Sequence, residues 1–236
     1  MLGNTSLGVG LHDAALGEYL GAAPEFPDGN WGALERQRLS GEIRVIQARR
    51  ASLSSEHALE SKLVAAELDG LVLEARIDGL GDQQRVASRF TKAGRRAELS
   101  TWIEHLLMQT SSELPDATHL VLRDTETRAK LLSFGPVPDA RHQLQTLVDL
   151  YRRSLAAPLP LVGHSSWRFV ETLERADADK AFSEASKTLK GQRDWSPYID
   201  YVFGPQDPFL DPDWREAFGQ AATEVYGPLF RHRSEG

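Results

Sequence analysis

Glu60-Ser-Lys-Leu-Val-Ala-Ala-Glu-Leu-Asp69-Gly70-Leu-Val-Leu-Glu-Ala-Arg-Ile-Asp78-Gly79, continued after a short loop by Gln83-Gln-Arg-Val-Ala-Ser88-Arg89-Phe90, is the stretch on which the fold turns. Two apolar/polar runs meet at Asp69-Gly70, the pair best suited to a tight type I′ turn, in which both central residues need φ > 0. The second run alternates. Leu71, Leu73, Ala75 and Ile77 face one way, and Val72, Glu74, Arg76 and Asp78 the other, as period-two side chains on a half-buried strand must. Gly79-Leu-Gly-Asp82 then leads to a third run, Arg85 to Phe90. The reading is a three-strand meander with helices before and after it to cover its apolar face.

Those helices are visible in the flanking sequence. Upstream, Trp31 to about Leu53 reads as a long helix with Leu39, Ile43, Ile46 and Arg50 along one stripe, weakened at Gly41 by about 1 kcal/mol against alanine. A shorter amphipathic pattern, Leu7 to Leu20, precedes it, separated by the turn-rich run Gly21 to Asn30. Downstream, Leu99, Trp102, Ile103, Leu106 and Leu107 recur at i, i+3, i+4, i+7 and i+8. Thr118 to Phe134 reads as a second hairpin around the polar turn Asp124-Thr-Glu-Thr127. Pro136-Val-Pro-Asp139 opens a helix with the stripe Leu144, Leu147, Val148, Tyr151 and Leu155, which Ala157-Pro-Leu-Pro160 ends. Two more stripes follow: Ala178, Phe182, Ala185, Leu189, and Trp214, Phe218, Ala222, Val225. Asp211-Pro212 caps the last helix and Gly227-Pro228 is expected to stop it. The sum is an α/β or α+β sandwich around one mixed sheet, with a helical C-terminal part.

Composition narrows the function. A chain of 236 residues, 41% hydrophobic and 26% charged, is ordinary for a globular protein that buries roughly 70–75% of its unfolded surface. The net charge of −7 means that any nucleic-acid contact must come from a local patch. With no cysteine, disulfides, thiolate nucleophiles and zinc–cysteine sites are excluded. No run approaches the ~18–20 apolar residues a membrane span needs, and no secretory leader pattern opens the chain, so a cytoplasmic protein is expected.

The motif screen is mostly negative. Gly79-Leu-Gly81 is a bare G-x-G, and no phosphate loop or Gly-x-Ser-x-Gly elbow is present. Gly163-His-Ser-Ser166 reads as a loop histidine. The seven histidines are scattered without metal-ligand spacing, and His105 is the one expected to be partly buried.

Strand geometry says more. A PD-(D/E)XK nuclease places an aspartate on one strand and an acid-x-lysine tripeptide on the next, so that carboxylates hold a divalent metal that activates water. Asp78 ends the second meander strand, where the first acid belongs. Ser88 then takes the second acid's place and Phe90 the lysine's. A hydroxyl is a poor ligand beside a carboxylate, and phenylalanine carries no charge. Glu74 lies four residues from Asp78, roughly 13 Å along a strand, too far to share a metal. One acid cannot assemble the site, and Asp78 also has a plain reading as a strand-end aspartate.

Charge supplies a second signal. Arg85, Arg89, Lys92, Arg95 and Arg96 fall in one window with no acid between Asp82 and Glu98. Arg95 and Arg96 stand at the start of the Trp102 helix, where cations oppose the macrodipole by some tenths of a kcal/mol. An external anion would offset that cost, and a DNA phosphate is the obvious one. The plainer reading is a solvated basic turn pairing with Glu60, Glu67 or Glu74. The aromatics Trp195, Tyr198, Tyr201, Phe203, Phe209 and Trp214, interleaved with prolines and poor in neighbouring cations, fit packing or protein contact better than base stacking.

Five stretches together resemble the C-terminal domain of RecC, the gamma subunit of exodeoxyribonuclease V (RecBCD). They are Leu7-Gly-Val-Gly-Leu-His-Asp with the helix after Trp31; Leu68-Asp-Gly-Leu-Val-Leu-Glu-Ala-Arg-Ile-Asp78; Leu99-Ser-Thr-Trp-Ile-Glu-His-Leu-Leu107; Leu147 to Leu159; and Tyr226-Gly-Pro-Leu-Phe-Arg231. The resemblance runs over nearly the whole chain in order, but through packing patterns rather than a catalytic signature. It implies that residues 1–236 form a single, catalytically degenerate, PD-(D/E)XK restriction-endonuclease-like domain from a longer subunit, with no cofactor and no metal. It implies RecB-like and RecD-like subunits and double- and single-stranded DNA as partners, no membrane, and a scaffold that guides separated strands in break repair. Ser88 and Phe90 fit the lost site; the retained Asp78 departs from it. Two other functions stay open: an active metal-dependent deoxyribonuclease, and a protein-interaction module with no DNA role.

Overall fold

The alternation of the Asp69-Gly70 hairpin is carried into three dimensions in a computed structural model, which describes residues 29–54 and 59–236. The Leu7–Leu20 helix expected from sequence lies outside the described residues. Asp69 and Gly70 both take positive φ, 47° and 76°, as a type I′ turn requires. Along β2 (Leu71–Leu80) burial alternates residue by residue, with Leu71, Leu73, Ala75 and Ile77 inward and Val72, Glu74 and Arg76 exposed.

The chain divides into two compact units. The first comprises residues up to Ala66, Val72–Pro138 and Ser234–Gly236; the second comprises Glu67–Leu71 and Asp139–Arg233. In the first unit, helix α1 (Asn30–Leu53) precedes β1 (Glu60–Leu68), β2 and β3 (Arg85–Lys92). Helix α2 (Arg95–Met108) follows, then β4 (Thr118–Arg123) and β5 (Ala129–Phe134). With β6 (Arg233–Glu235) at the edge, the six strands form one mixed sheet in the order β1-β2-β3-β4-β5-β6. β2 and β3 are antiparallel, as are β4 and β5. β3 and β4 are parallel, from Arg85 opposite Thr118 to Arg89 opposite Leu122. A parallel pair needs a crossover of a dozen or more residues, and α2 is that crossover.

Two clusters fill the two faces of this sheet. Val86, Val121 and Leu131 pack with Ile46 of α1, joined by Leu53 and Phe90. The alternate residues Ala87, Leu120, Leu122 and Leu132 form the other cluster, with Ala97 of α2 against it. Central strands buried on both faces are what a parallel pair between helices demands.

Helix α2 also buries a polar group. His105 is fully buried, its Nδ1 2.9 Å from Thr118 Oγ1 and its Nε2 2.9 Å from the Gly135 carbonyl oxygen. The carbonyl can only accept, so Nε2 carries the proton and Nδ1 accepts from the threonine. The ring stacks on Trp102 at 5.6 Å and makes His105 a core element rather than a base.

The second unit is helical: α3 (Ala140–Ala156), α4 (Gly163–Leu173), α5 (Ala178–Arg193), the short α6 (Pro197–Phe203) and α7 (Pro212–His232). Phe169, Phe182, Phe209, Trp214 and Phe218 form a ring network with neighbouring centroids 4.6–6.4 Å apart. Asp211 caps α7 through the Asp213 and Trp214 amides, as expected. Three expectations change here. His164 stands in the first turn of α4, not in a loop, because Ser166, Phe169 and Val170 give that segment a buried face. Gly227-Pro228 does not stop α7, which continues to His232; burial of Tyr226, Leu229 and Phe230 outweighs the amide that Pro228 lacks. On α3, Leu144 and Val148 are buried while Tyr151 and Leu155 are exposed. No described helix is long and apolar enough to cross a membrane.

Candidate functional site

Asp78 is delivered to the site by the end of β2, where the backbone must approach β3 closely. Gly79 makes that approach possible: its φ is 81°, and a Cβ there would run into the Val86 carbonyl. Any other residue would meet both a left-handed backbone and a steric clash.

Around this crossing lies a cleft of about 210 Å³ within the first unit. Arg50 of α1, Arg76 and Asp78 of β2, Arg85, Ser88 and Arg89 of β3, and Glu104 of α2 supply its polar lining. The Asp78 carboxylate accepts from Ser61 Oγ at 2.6 Å and from Arg76 Nε at 3.3 Å, and its main-chain oxygen accepts from Arg85 Nε at 3.0 Å. Glu104 holds two guanidinium groups at once. Its Oε2 accepts from Arg85 Nη2, and its Oε1 accepts from Arg89 Nη2 at 2.9 Å.

Arg85 is only 2% exposed, and its Nη1 has no hydrogen-bond partner. Burial pulls its guanidinium pKa down, opposed by Glu104; burial likewise lowers Arg50, opposed by Asp78. A guanidinium nevertheless stays charged at neutral pH. Among the described residues, four guanidinium groups and two carboxylates line the cleft.

The expected site residues separate. Asp78 and Ser88 do share one cleft. Phe90 packs instead against Ile43 of α1, with the Arg123 guanidinium 5.3 Å from its ring centroid. Among the five cations, Arg85 and Arg89 turn inward to Glu104 rather than to Glu60, Glu67 or Glu74, and Arg85 is withdrawn from solvent by burial. Lys92 and Arg96 are exposed and Arg95 is half-buried, around the first residue of α2. Sequence reading missed Arg50, Arg76 and Glu104 as site residues. Among the described residues, no three His, Asp or Glu side chains group as a metal site.

The model of the RecC C-terminal domain matches residues 2–174. The chain belongs to the RecC C-terminal domain family. That membership associates it with the RecBCD complex, exodeoxyribonuclease V, and so with DNA repair and recombination. Residues 175–236 lie outside the match, and with them the Tyr226–Arg231 stretch on which part of the resemblance rested. No match to the chain is found among curated proteins.

Proposed function

We propose that this RecC-family chain is a non-catalytic, nuclease-like domain that scaffolds RecB-like and RecD-like subunits and guides separated DNA strands. The element order supports the PD-(D/E)XK ancestry: a helix, a three-strand meander, a crossover helix and a parallel fourth strand, with an aspartate at the end of the second strand. The observation that carries the loss of catalysis is the arginine lining of the Asp78 cleft. A nuclease needs several carboxylates to hold a divalent ion. Here the single β2 aspartate sits beside Arg76, and the second acid, Glu104, is taken by Arg85 and Arg89. A divalent cation entering that cleft would meet like charge, while a phosphate would meet opposite charge.

Lys92, Arg95, Arg96 and Arg89 provide the strand-guiding surface in this reading, tracking the phosphate backbone without reading bases. Exposed Trp195, Tyr198, Tyr201, Val202 and Leu210 of the second unit support the scaffolding part, since exposed aromatics concentrate at protein interfaces. The test is binding of forked DNA to the purified chain. A salt-dependent complex that Lys92→Glu with Arg96→Glu abolishes supports the guiding role; a complex indifferent to both substitutions removes it.

A further inference from the structure

We propose that the arginine cleft beside Asp78 is a seat for a single phosphate group. Three observations converge on it. First, Arg50, Arg76, Arg85 and Arg89 come from three elements, α1, β2 and β3, to line one cleft. Cations repel, and among the described residues the fold gathers four of them around two carboxylates; an anion in their midst would offset repulsion between them. Second, Arg85 Nη1 is shut off from solvent with no acceptor. A buried charged donor without an acceptor is costly, and phosphate oxygens are the acceptors a guanidinium fork fits best. Third, at about 210 Å³ the cleft is smaller than the roughly 300–1,000 Å³ of cofactor and drug-sized sites, which suits one small anion.

Arg85 is the fixed floor of this seat, held by Glu104 and the Asp78 carbonyl, with an Nη1 that lacks an acceptor. Arg76 is the rim: its side chain is 74% exposed, which leaves it room to turn from Asp78 to an arriving phosphate. The inference deepens the strand-guiding reading and rests on it for DNA as the source of the phosphate, though not for the phosphate chemistry itself. An inorganic phosphate, a strand's 5′-terminal phosphate and a backbone diester share that chemistry.

The experiment titrates the full chain with sodium phosphate against chloride at matched ionic strength, reading the melting temperature and binding heat. The expected result is saturable stabilisation by phosphate alone. Arg50→Gln and Arg76→Gln should each weaken it about tenfold, the worth of one charge-assisted hydrogen bond. Lys180→Gln, on α5 of the second unit, should leave it unchanged. Exposed Arg76 is replaceable without touching the core, so at least one variant reads binding in a folded protein. Competition then separates the sources. Displacement of phosphate only by a 5′-phosphorylated oligonucleotide assigns the terminal monoester, and displacement also by its 5′-hydroxyl counterpart assigns the diester. Phosphate binding that neither oligonucleotide displaces keeps the seat and removes DNA from it. No saturable effect of phosphate on the wild-type chain, or an effect that both arginine variants retain, overturns the proposal.

Discussion

Arg85 on β3 and Glu104 on α2 form an ion pair that links the centre of the sheet to its crossover helix, with the arginine side chain 3% exposed and the glutamate 21%. The same carboxylate binds Arg89 through its other oxygen, so one acid bridges two strand cations. Removing one partner of a buried pair is costlier than never having built it, because the remaining charge stays desolvated. Glu104→Ala is expected to cost about 3 kcal/mol, towards the lower end for such pairs because Glu104 touches solvent. Arg85→Met combined with Glu104→Met should cost less than Glu104→Ala alone. Urea denaturation of the three proteins checks the order.

Two glycines with similar dihedrals give a second prediction. Gly70 has φ 76° with open space where a Cβ would stand, so Gly70→Ala should cost about 1 kcal/mol for the left-handed backbone alone. Gly79 has φ 81° and a Cβ that would collide with the Val86 carbonyl. Gly79→Ala must therefore separate β2 from β3 and should cost at least about 3 kcal/mol, on thermal or chemical unfolding.

Legibility in the sequence follows from how local each signal is. β2 was readable because each of its residues reports its own face, and Asp69-Gly70 names a turn type in two letters. The α4 signal, Ser166, Phe169, Val170 and Leu173 at helical spacing, was present but overshadowed by Gly163-His-Ser-Ser166, which resembles a loop when read alone. Helix α7 outlasts Gly227-Pro228 because tertiary burial, which no short window shows, outweighs local propensity. The arginine cleft was hidden for a similar reason. Arg50 and Arg76 lie 35 and 9 positions from Arg85 in sequence, and only the folding of α1 over β2 and β3 joins them.

A third prediction concerns acid. His119 of β4 lies 2.9 Å from Gln84 Oε1 through Nε2, and 2.7 Å from Ser133 Oγ through Nδ1. Gln84 spends its amide on the Leu53 carbonyl, so its oxygen accepts from Nε2, and Nδ1 of a neutral ring accepts the serine hydroxyl. Burial, with Arg49 adding to it, lowers the His119 pKa from its ordinary 6.5. The unfolded chain then binds more protons than the folded one, and stability rises with pH in that window. Stability should be fully present above about pH 6.5 and decline as pH falls from there towards the lowered folded value. Replacing His119 with Gln should flatten that slope in urea titrations between pH 5 and 8.

Salt reports how Lys92 and Arg96 are used. Each phosphate neutralised contributes about 0.9 to the slope of log affinity against log salt on duplex DNA, and about 0.7 on single strands. Lys92→Ala and Arg96→Ala should each reduce the slope for forked DNA by somewhat less than one, equally for unrelated sequences. Fluorescence anisotropy across a salt series measures it.

The loss of catalysis is tested most directly by incubating the purified chain with linear DNA and Mg²⁺ or Mn²⁺ and following the substrate on a gel. With Asp78 beside Arg76 and Glu104 held by two arginines, the DNA should remain intact with either ion. Degradation by the wild-type chain that Asp78→Ala abolishes would contradict the account.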